Sequence, residues 1–187
     1  DCDGVMFDTL AANRAYYNQL LSHFGMPDMS EAQSEFVQMH AVDQSVSYLF
    51  GEMVRIEAAH AYRKEMGYRP FLKFMKIEPG LRPLIRKLKP RFKTAVATNR
   101  SDTMDMVISE HGLEGCFDLV VSSLDVKRPK PDPESLIKIL DNFGFDPDQM
   151  IYVGDSSLDG LAAGAAGIPF VAFNNRKLVA DFYISHL

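Results

Sequence analysis

The chain has little of what marks a nucleic-acid binder, a membrane protein or a disulfide-stapled domain. Basic residues never run longer than a few positions and the net charge is −5. The continuous positive surface that neutralises a phosphate backbone is therefore missing. No apolar stretch approaches the roughly 20 residues of a membrane span, and no secretory leader is visible. The 2 cysteines, Cys2 and Cys116, lack metal-type spacing, which predicts two free buried thiols in a reducing compartment. Repeats and low-complexity tracts do not stand out. These exclusions predict a cytoplasmic soluble protein with neither nucleic acid nor membrane as a partner. What is there is core: 47% of 187 residues are hydrophobic, enough for one domain or a domain with a modest insert. An initiator methionine is also lacking, so the chain is expected to be a fragment or trimmed; if Asp1 ends a buried strand, about four to six apolar residues are expected ahead of it.

Two rhythms divide the chain. Residues 9 to about 75 read as successive helices: "AANRAYYNQLLSHFG" puts Ala12, Tyr16, Leu20 and Phe24 on one face and stops at Gly25. Ser30 opens a second helix through "EAQSEFVQMH", and "SVSYLFGEM" and "VRIEAAHAYRKEMGY" continue the pattern. From Pro79 onward, apolar β-rich runs ("KTAVAT", "FDLVVSS", "MIYVGD", "IPFVAF") alternate with helices of about ten residues, the pattern of a parallel sheet covered on both faces. The expected organisation is an α/β core, residues 1–8 and 79–187, carrying a helical cap, residues 9–78, inserted after its first strand.

In an open parallel sheet, ligands bind beyond the carboxyl ends of the strands. Those ends carry Thr98, Asn99 and Arg100 after "KTAVAT", a lysine-bearing loop after "FDLVVSS", and Asp155 with Asp159 after "MIYVG". The chain also opens with two acids one residue apart, Asp1 and Asp3, followed by Gly4. Like charges so close repel unless a cation or a proton intervenes. With Asp1 ending a strand, the rim gathers four acids, a hydroxyl and one or more lysines. Hard oxygen ligands beside phosphate-binding donors point to Mg²⁺ and phosphoryl chemistry.

"DCDGVMFDT", "VATNRS", "KRPKPDPES" and "VGDSSLDGLAAGAAGI", in this order, resemble the four motifs of the haloacid dehalogenase (HAD) superfamily. The resemblance runs from Asp1 to about Phe173 and is nearest to the phosphoglycolate phosphatase-like branch. It implies a Rossmann-like core with strand order 5-4-1-2-3. It also implies roles. Asp1 would be the nucleophile that forms an aspartyl-phosphate, and Asp3 the general acid to the leaving alcohol and then the base for water. Mg²⁺ would be held by Asp1, the Asp3 main-chain carbonyl and Asp155, with Asp159 in support. Thr98 and Asn99 would hydrogen-bond the phosphoryl group, and Lys130 would neutralise it and restrain Asp1, with Lys127 as the competing lysine. Asp3 favours phosphate esters over carbon–halogen bonds, because an alkoxide needs a proton as it leaves and a halide does not.

Other residues admit plainer readings. Gly4 is expected to let a main-chain amide approach phosphate without a Cβ in the way. Ser101 is expected to cap the helix after Thr98. Asp8 and Thr9 are expected to start the first cap helix, Cys2 to be a buried apolar residue, and "GLAAGAAG" to pack a helix tightly on the sheet. In the cap, "MHAVDQSVSY" breaks helical periodicity and offers His40, Asp43, Gln44 and Ser45 as substrate contacts, or else forms a polar turn between helices. The expected activity is Mg²⁺-dependent hydrolysis of a small phosphate monoester. A phosphomutase of the β-phosphoglucomutase type, which shares every core residue named, stays open as the alternative. A phospho-acceptor receiver or a silent binding module fits less well, because a receiver has no helical insert and the acids are intact.

Overall fold

The computed structural model describes residues 1–89 and 91–187. The chain divides into two compact units, Asp1–Asp8 with Ile77–Leu187, and Thr9–Lys76.

The first unit opens with strand β1 (Phe7–Asp8). The chain then enters the second unit, which is helical: α1 (Leu10–His23), α2 (Glu31–Met39), α3 (Val42–Phe50) and α4 (Met53–Met66), then a 3₁₀ turn over Arg69–Phe74. Local chemistry sets the breaks. Ser30 accepts from the Gln33 amide while the Gln33 side chain accepts from the Ser30 amide, a reciprocal cap that starts α2. Gly51 ends α3 at φ 70°, a conformation a side chain resists. Its interior is aromatic: the Tyr16 ring lies 5.1 Å from those of Tyr17 and Tyr68 and 5.4 Å from that of Phe71. The buried Tyr68 hydroxyl donates to Asn13 Oδ1 at 2.7 Å, as a phenol sealed among apolar groups must.

After β2 (Lys76–Ile77) the α/β rhythm begins: α5 (Leu81–Leu88), β3 (Ala95–Ala97), α6 (Met104–Glu110), β4 (Leu119–Val121), α7 (Glu134–Phe143), β5 (Tyr152–Gly154), α8 (Ser157–Ala166), β6 (Phe170–Phe173) and β7 (Phe182–Ile184). Three strand pairs run parallel: β3 with β4, β5 with β6, and β6 with β7. In the expected order 5-4-1-2-3, the pairs β6–β5 and β4–β3 are the two flanks. The Asp1 main chain lies beside β5, its nitrogen donating to the Val153 carbonyl at 2.8 Å. Strand β7 extends the sheet beyond the expected edge. The sequence hid it because its residues are mostly exposed and follow a polar loop without clear alternation.

One core knits the two flanks together. Ala97 and Val121 from β3 and β4, Leu136, Ile139 and Leu140 from α7, Tyr152, Phe170 and Ala172 from β5 and β6, and Ala162 and Ala163 from α8 form a single cluster. The small residues of α8 allow close approach at Gly160, where a Cβ would stand 3.2 Å from the Phe170 ring; Gly164 has no such neighbour. One expectation is corrected: Thr103, not Ser101, stands at the start of α6, and the Ser101 hydroxyl turns instead to Asp102 Oδ1 at 3.1 Å. Thr9 stands at the start of α1 as expected, and its buried hydroxyl accepts from Gln38 Nε2 at 2.7 Å. No helix among the described residues is long and apolar enough to cross a membrane.

Leu136 is fully buried at the centre of this cluster. Leu136→Ala is expected to destabilise the protein by about 2–5 kcal/mol, the range for a large-to-small change that leaves a cavity. Urea unfolding followed by circular dichroism measures it.

Candidate active site

The site is organised around one buried ammonium. Lys130 is 3% exposed, and burial alone would drive its charge off. Asp159 and Tyr152 outweigh that cost and raise its pKa, so it stays protonated. Its Nζ donates to Asp159 Oδ1 at 2.6 Å and to the Tyr152 hydroxyl at 2.9 Å, lies 3.4 Å from the Ala97 carbonyl, and pairs with Asp1 Oδ1 at 2.9 Å. Lys127, the competitor, is exposed and contributes its main-chain amide to Glu134.

Asp159 is fully buried. Burial pushes its carboxyl up, but the Lys130 charge prevails and holds it at about 2. Both oxygens are occupied: Oδ1 by Lys130 and Tyr152, and Oδ2 by the Ser156 amide at 3.1 Å and the Ser156 hydroxyl at 2.5 Å. Tyr152 shares its proton between Asp159 and the Ala97 carbonyl, at 2.9 and 3.0 Å. Tyr152 and Ser156 were not picked out from the sequence. The only signal was a phenol in an otherwise apolar strand, whose hydroxyl must find partners once buried.

Asp1 presents Oδ1 to Lys130 and to the Cys2 amide, the latter at 2.7 Å. Cys2 is buried, and burial followed by the Asp3 charge pushes its thiol up to about 12, so it stays a protonated apolar residue. Asp3 is gripped by Arg100, whose Nε donates to Oδ2 at 3.1 Å and whose second terminal nitrogen donates to Oδ1 at 2.5 Å. Thr98 is buried at the end of β3; its amide donates to the Val121 carbonyl, and its hydroxyl accepts from the Arg100 amide at 3.1 Å.

Two of the expected phosphate-binding residues have partners within the protein. The Asn99 side chain is committed to the main chain of Lys130, donating to its carbonyl at 3.0 Å and accepting from its amide at 2.9 Å. It thus sets where the lysine stands. The Gly4 amide donates to the Phe7 carbonyl at 2.8 Å. What position 4 requires is the absence of a Cβ: at φ 86° a Cβ would lie 2.0 Å from Asp155 Oδ2. Gly154 meets the same demand from Asp159, whose own Cβ a methyl group there would approach to 2.4 Å.

Asp1, Asp155 and Asp159 each present a carboxylate oxygen within 4.8 Å of the others. Burial, then the Asp159 charge, pushes Asp155 up to about 7. A carboxyl group so short of positive charge, in an all-oxygen donor set, fits a hard divalent cation. Asp1 and Asp155 fit as direct ligands, whereas Asp159 already has its donors.

The four cap candidates lie in the other unit. His40 stacks on Phe36 at 3.8 Å and its Nδ1 donates to the Phe36 carbonyl at 2.9 Å. Gln44 Oε1 accepts from the Ala41 amide at 3.3 Å, and exposed Asp43 stands 3.8 Å from His60 Nε2. Ser45 is fully buried and donates to the His40 carbonyl at 3.4 Å. The segment behaves as a polar turn: α2 ends and α3 begins within two residues, and these side chains take the main-chain groups freed there.

Asp155→Asn is expected to stabilise the metal-free protein at pH 8 by about 2–4 °C in Tm for each kcal/mol recovered. The carboxyl is raised in the folded state, so its cost to stability builds as pH rises from the ordinary value of about 4 to about 7 and is full above that. The gain should shrink as pH falls from 7 towards 4, where the unfolded carboxyl is protonated as well. Added Mg²⁺ should raise the Tm of the wild type and hardly that of the variant, as scanning calorimetry would read directly.

The haloacid dehalogenase-like hydrolase family profile matches residues 1–173. A solved HAD-superfamily hydrolase of subfamily IA, variant 1, from Geobacter sulfurreducens is 38% identical, with a TM-score of 0.79 over 100% of this chain and 90% of that one. The phosphoglycolate phosphatase of Chromobacterium violaceum is 27% identical over 92% of this chain and 82% of its own length. The pyrophosphatase PpaX of Bacillus velezensis is 43% identical over 72 residues, which span 38% of this chain and only 33% of that protein. With the family profile matched over nearly its whole length, the chain belongs to the haloacid dehalogenase-like hydrolases.

Proposed function

We propose that the protein is a phosphatase of small phosphate monoesters, phosphoglycolate-like in size and charge. The observation that carries this reading is the Lys130 ammonium, 2.9 Å from Asp1 and 2.6 Å from Asp159, with Asp155 beside them. A fixed cation and a held carboxylate nucleophile are what transfer of a dianionic phosphoryl group needs. The phosphoglycolate phosphatase named above, similar over most of both chains, supports the substrate class.

In the first step a carboxylate oxygen of Asp1 attacks phosphorus. The bond to the leaving oxygen breaks, its electron pair stays on that oxygen, and the proton it needs comes from the carboxyl of Asp3. Aspartyl-phosphate remains on Asp1 and the alcohol departs. In the second step the Asp3 carboxylate takes a proton from water, whose oxygen attacks phosphorus. The bond to Asp1 breaks, phosphate is released, and Asp3 again holds the proton for the next turnover. Lys130 offsets charge on the phosphoryl oxygens throughout, and the Thr98 hydroxyl donates to one of them. Mg²⁺, held by Asp1, Asp155 and the Asp3 main-chain carbonyl, would supply charge neutralisation for the phosphoryl group.

Asp1→Asn keeps Oδ1 as an acceptor for Lys130 and Cys2 but removes the nucleophile. Turnover of phosphoglycolate with Mg²⁺ is expected to fall at least about 10³-fold, into the range left by removing a covalent catalyst, while the circular dichroism spectrum stays unchanged. Free phosphate is the product to measure, against a panel including pyrophosphate and a sugar bisphosphate. An isomerised sugar phosphate without free phosphate would assign the mutase reaction instead, and near-wild-type activity of the Asn variant would remove Asp1 from the nucleophile's role.

A further inference from the structure

We infer that Arg100 is a positioning residue for Asp3: its buried guanidinium holds the Asp3 carboxyl group in line with the leaving oxygen. This rests on the phosphatase reading above and adds a residue to it.

The geometry is that of a built clamp. The Arg100 side chain is 5% exposed and that of Asp3 13%. Nε and one terminal nitrogen of the guanidinium engage the two oxygens of Asp3 separately, at 3.1 and 2.5 Å. The other terminal nitrogen donates to Thr103 Oγ1 at 3.0 Å, so the fork is held at both ends. Its backbone is fixed as well. The Arg100 amide donates to Thr98 Oγ1, and the Arg100 carbonyl accepts from the Ser123 amide at 3.0 Å. The residue is therefore tied to Thr98 on one side and to the turn after β4 on the other.

A bidentate guanidinium fixes the plane of a carboxyl group as well as its place, which a single point charge does not do. Each oxygen keeps a second lone-pair site beyond the one Arg100 occupies, so a proton can still be exchanged there. Proton transfer demands such alignment, since its contribution decays when donor and acceptor are out of hydrogen-bond reach. A residue placed only to stabilise the fold needs no relation to Asp3 in particular. The pairing of the chain's third residue with its hundredth, on the rim that carries Asp1 and Lys130, is the relation that the alignment role requires.

The leaving group separates the two roles. An alkyl leaving group such as glycolate depends on the proton from Asp3, whereas p-nitrophenolate departs without much help. Comparing kcat/KM on phosphoglycolate and on p-nitrophenyl phosphate, Arg100→Ala is expected to lose about 10- to 100-fold on the first and no more than about 3-fold on the second. Arg100→Lys, which keeps the charge but grips one oxygen at a time, should fall between the wild type and Arg100→Ala and covers the case in which the alanine variant fails to fold. Asp3→Asn should show the same selectivity at greater size, and the double variant with Arg100→Ala should be no slower than Asp3→Asn alone. Equal losses on both substrates, no loss on either, or additive losses in the double variant would overturn the inference. If Asp3→Asn itself fails to discriminate between the leaving groups, the acid–base assignment of the phosphatase reading falls instead.

Discussion

A positive charge buried among carboxylates is the constraint on which the site depends. Asp159 is the largest of the influences that keep Lys130 ionised where it stands, and Lys130 the largest of those that keep Asp159 ionised in full burial. Such a pair gains little stability over an apolar equivalent, because desolvation consumes most of the attraction. What it gains is fixity. Tyr152, Ser156 and the Ala97 carbonyl complete the bonding of the pair, so the ammonium has one place to be, and that place is against Asp1.

The sheet delivers these groups to one rim. Ala97 ends β3, Gly154 ends β5 with Asp155 directly after, and Asp159 lies in the first turn of α8. Parallel pairing sets the carboxyl ends of β3 and β4 the same way, and likewise those of β5 and β6, and one core from α7 and α8 packs against both pairs. The glycines belong to the same design. Gly4 and Gly154 stand where any Cβ would strike Asp155 or Asp159, so the acids can crowd closer than ordinary side chains would permit. Burial, then the Asp159 charge beside it, pushes Asp155 up to about 7 and makes the cluster a cation-shaped demand.

Much of this was legible in the chain itself. Alternation of apolar runs with ten-residue helices gave a parallel α/β sheet, since only that pattern buries both faces. The helical insert showed as a change of period between residue 9 and the mid-seventies. The acids and Thr98 stood out because chemistry-bearing residues fell at strand ends, and the motif resemblance alone favoured Lys130 over Lys127. Strand β7 stayed hidden, its exposed residues lacking alternation, and so did the start of α6, where Ser101 offered the better cap by type yet Thr103 takes the position.

What the sequence determined by itself was which residue types stand at the strand ends: side-chain type and position along strands decide who reaches the rim. What only the tertiary structure decided was how each is employed. Asn99 and Gly4 sit where expected but spend their polar groups inside the protein, on Lys130 and on Phe7. Tyr152 looks apolar by its strand and turns out to hold the lysine; Arg100 looks like a loop cation and closes on Asp3. A hydrogen bond is specified by distances of a few tenths of an ångström between residues up to 152 positions apart, and no local pattern encodes that. It exists only once the chain has folded.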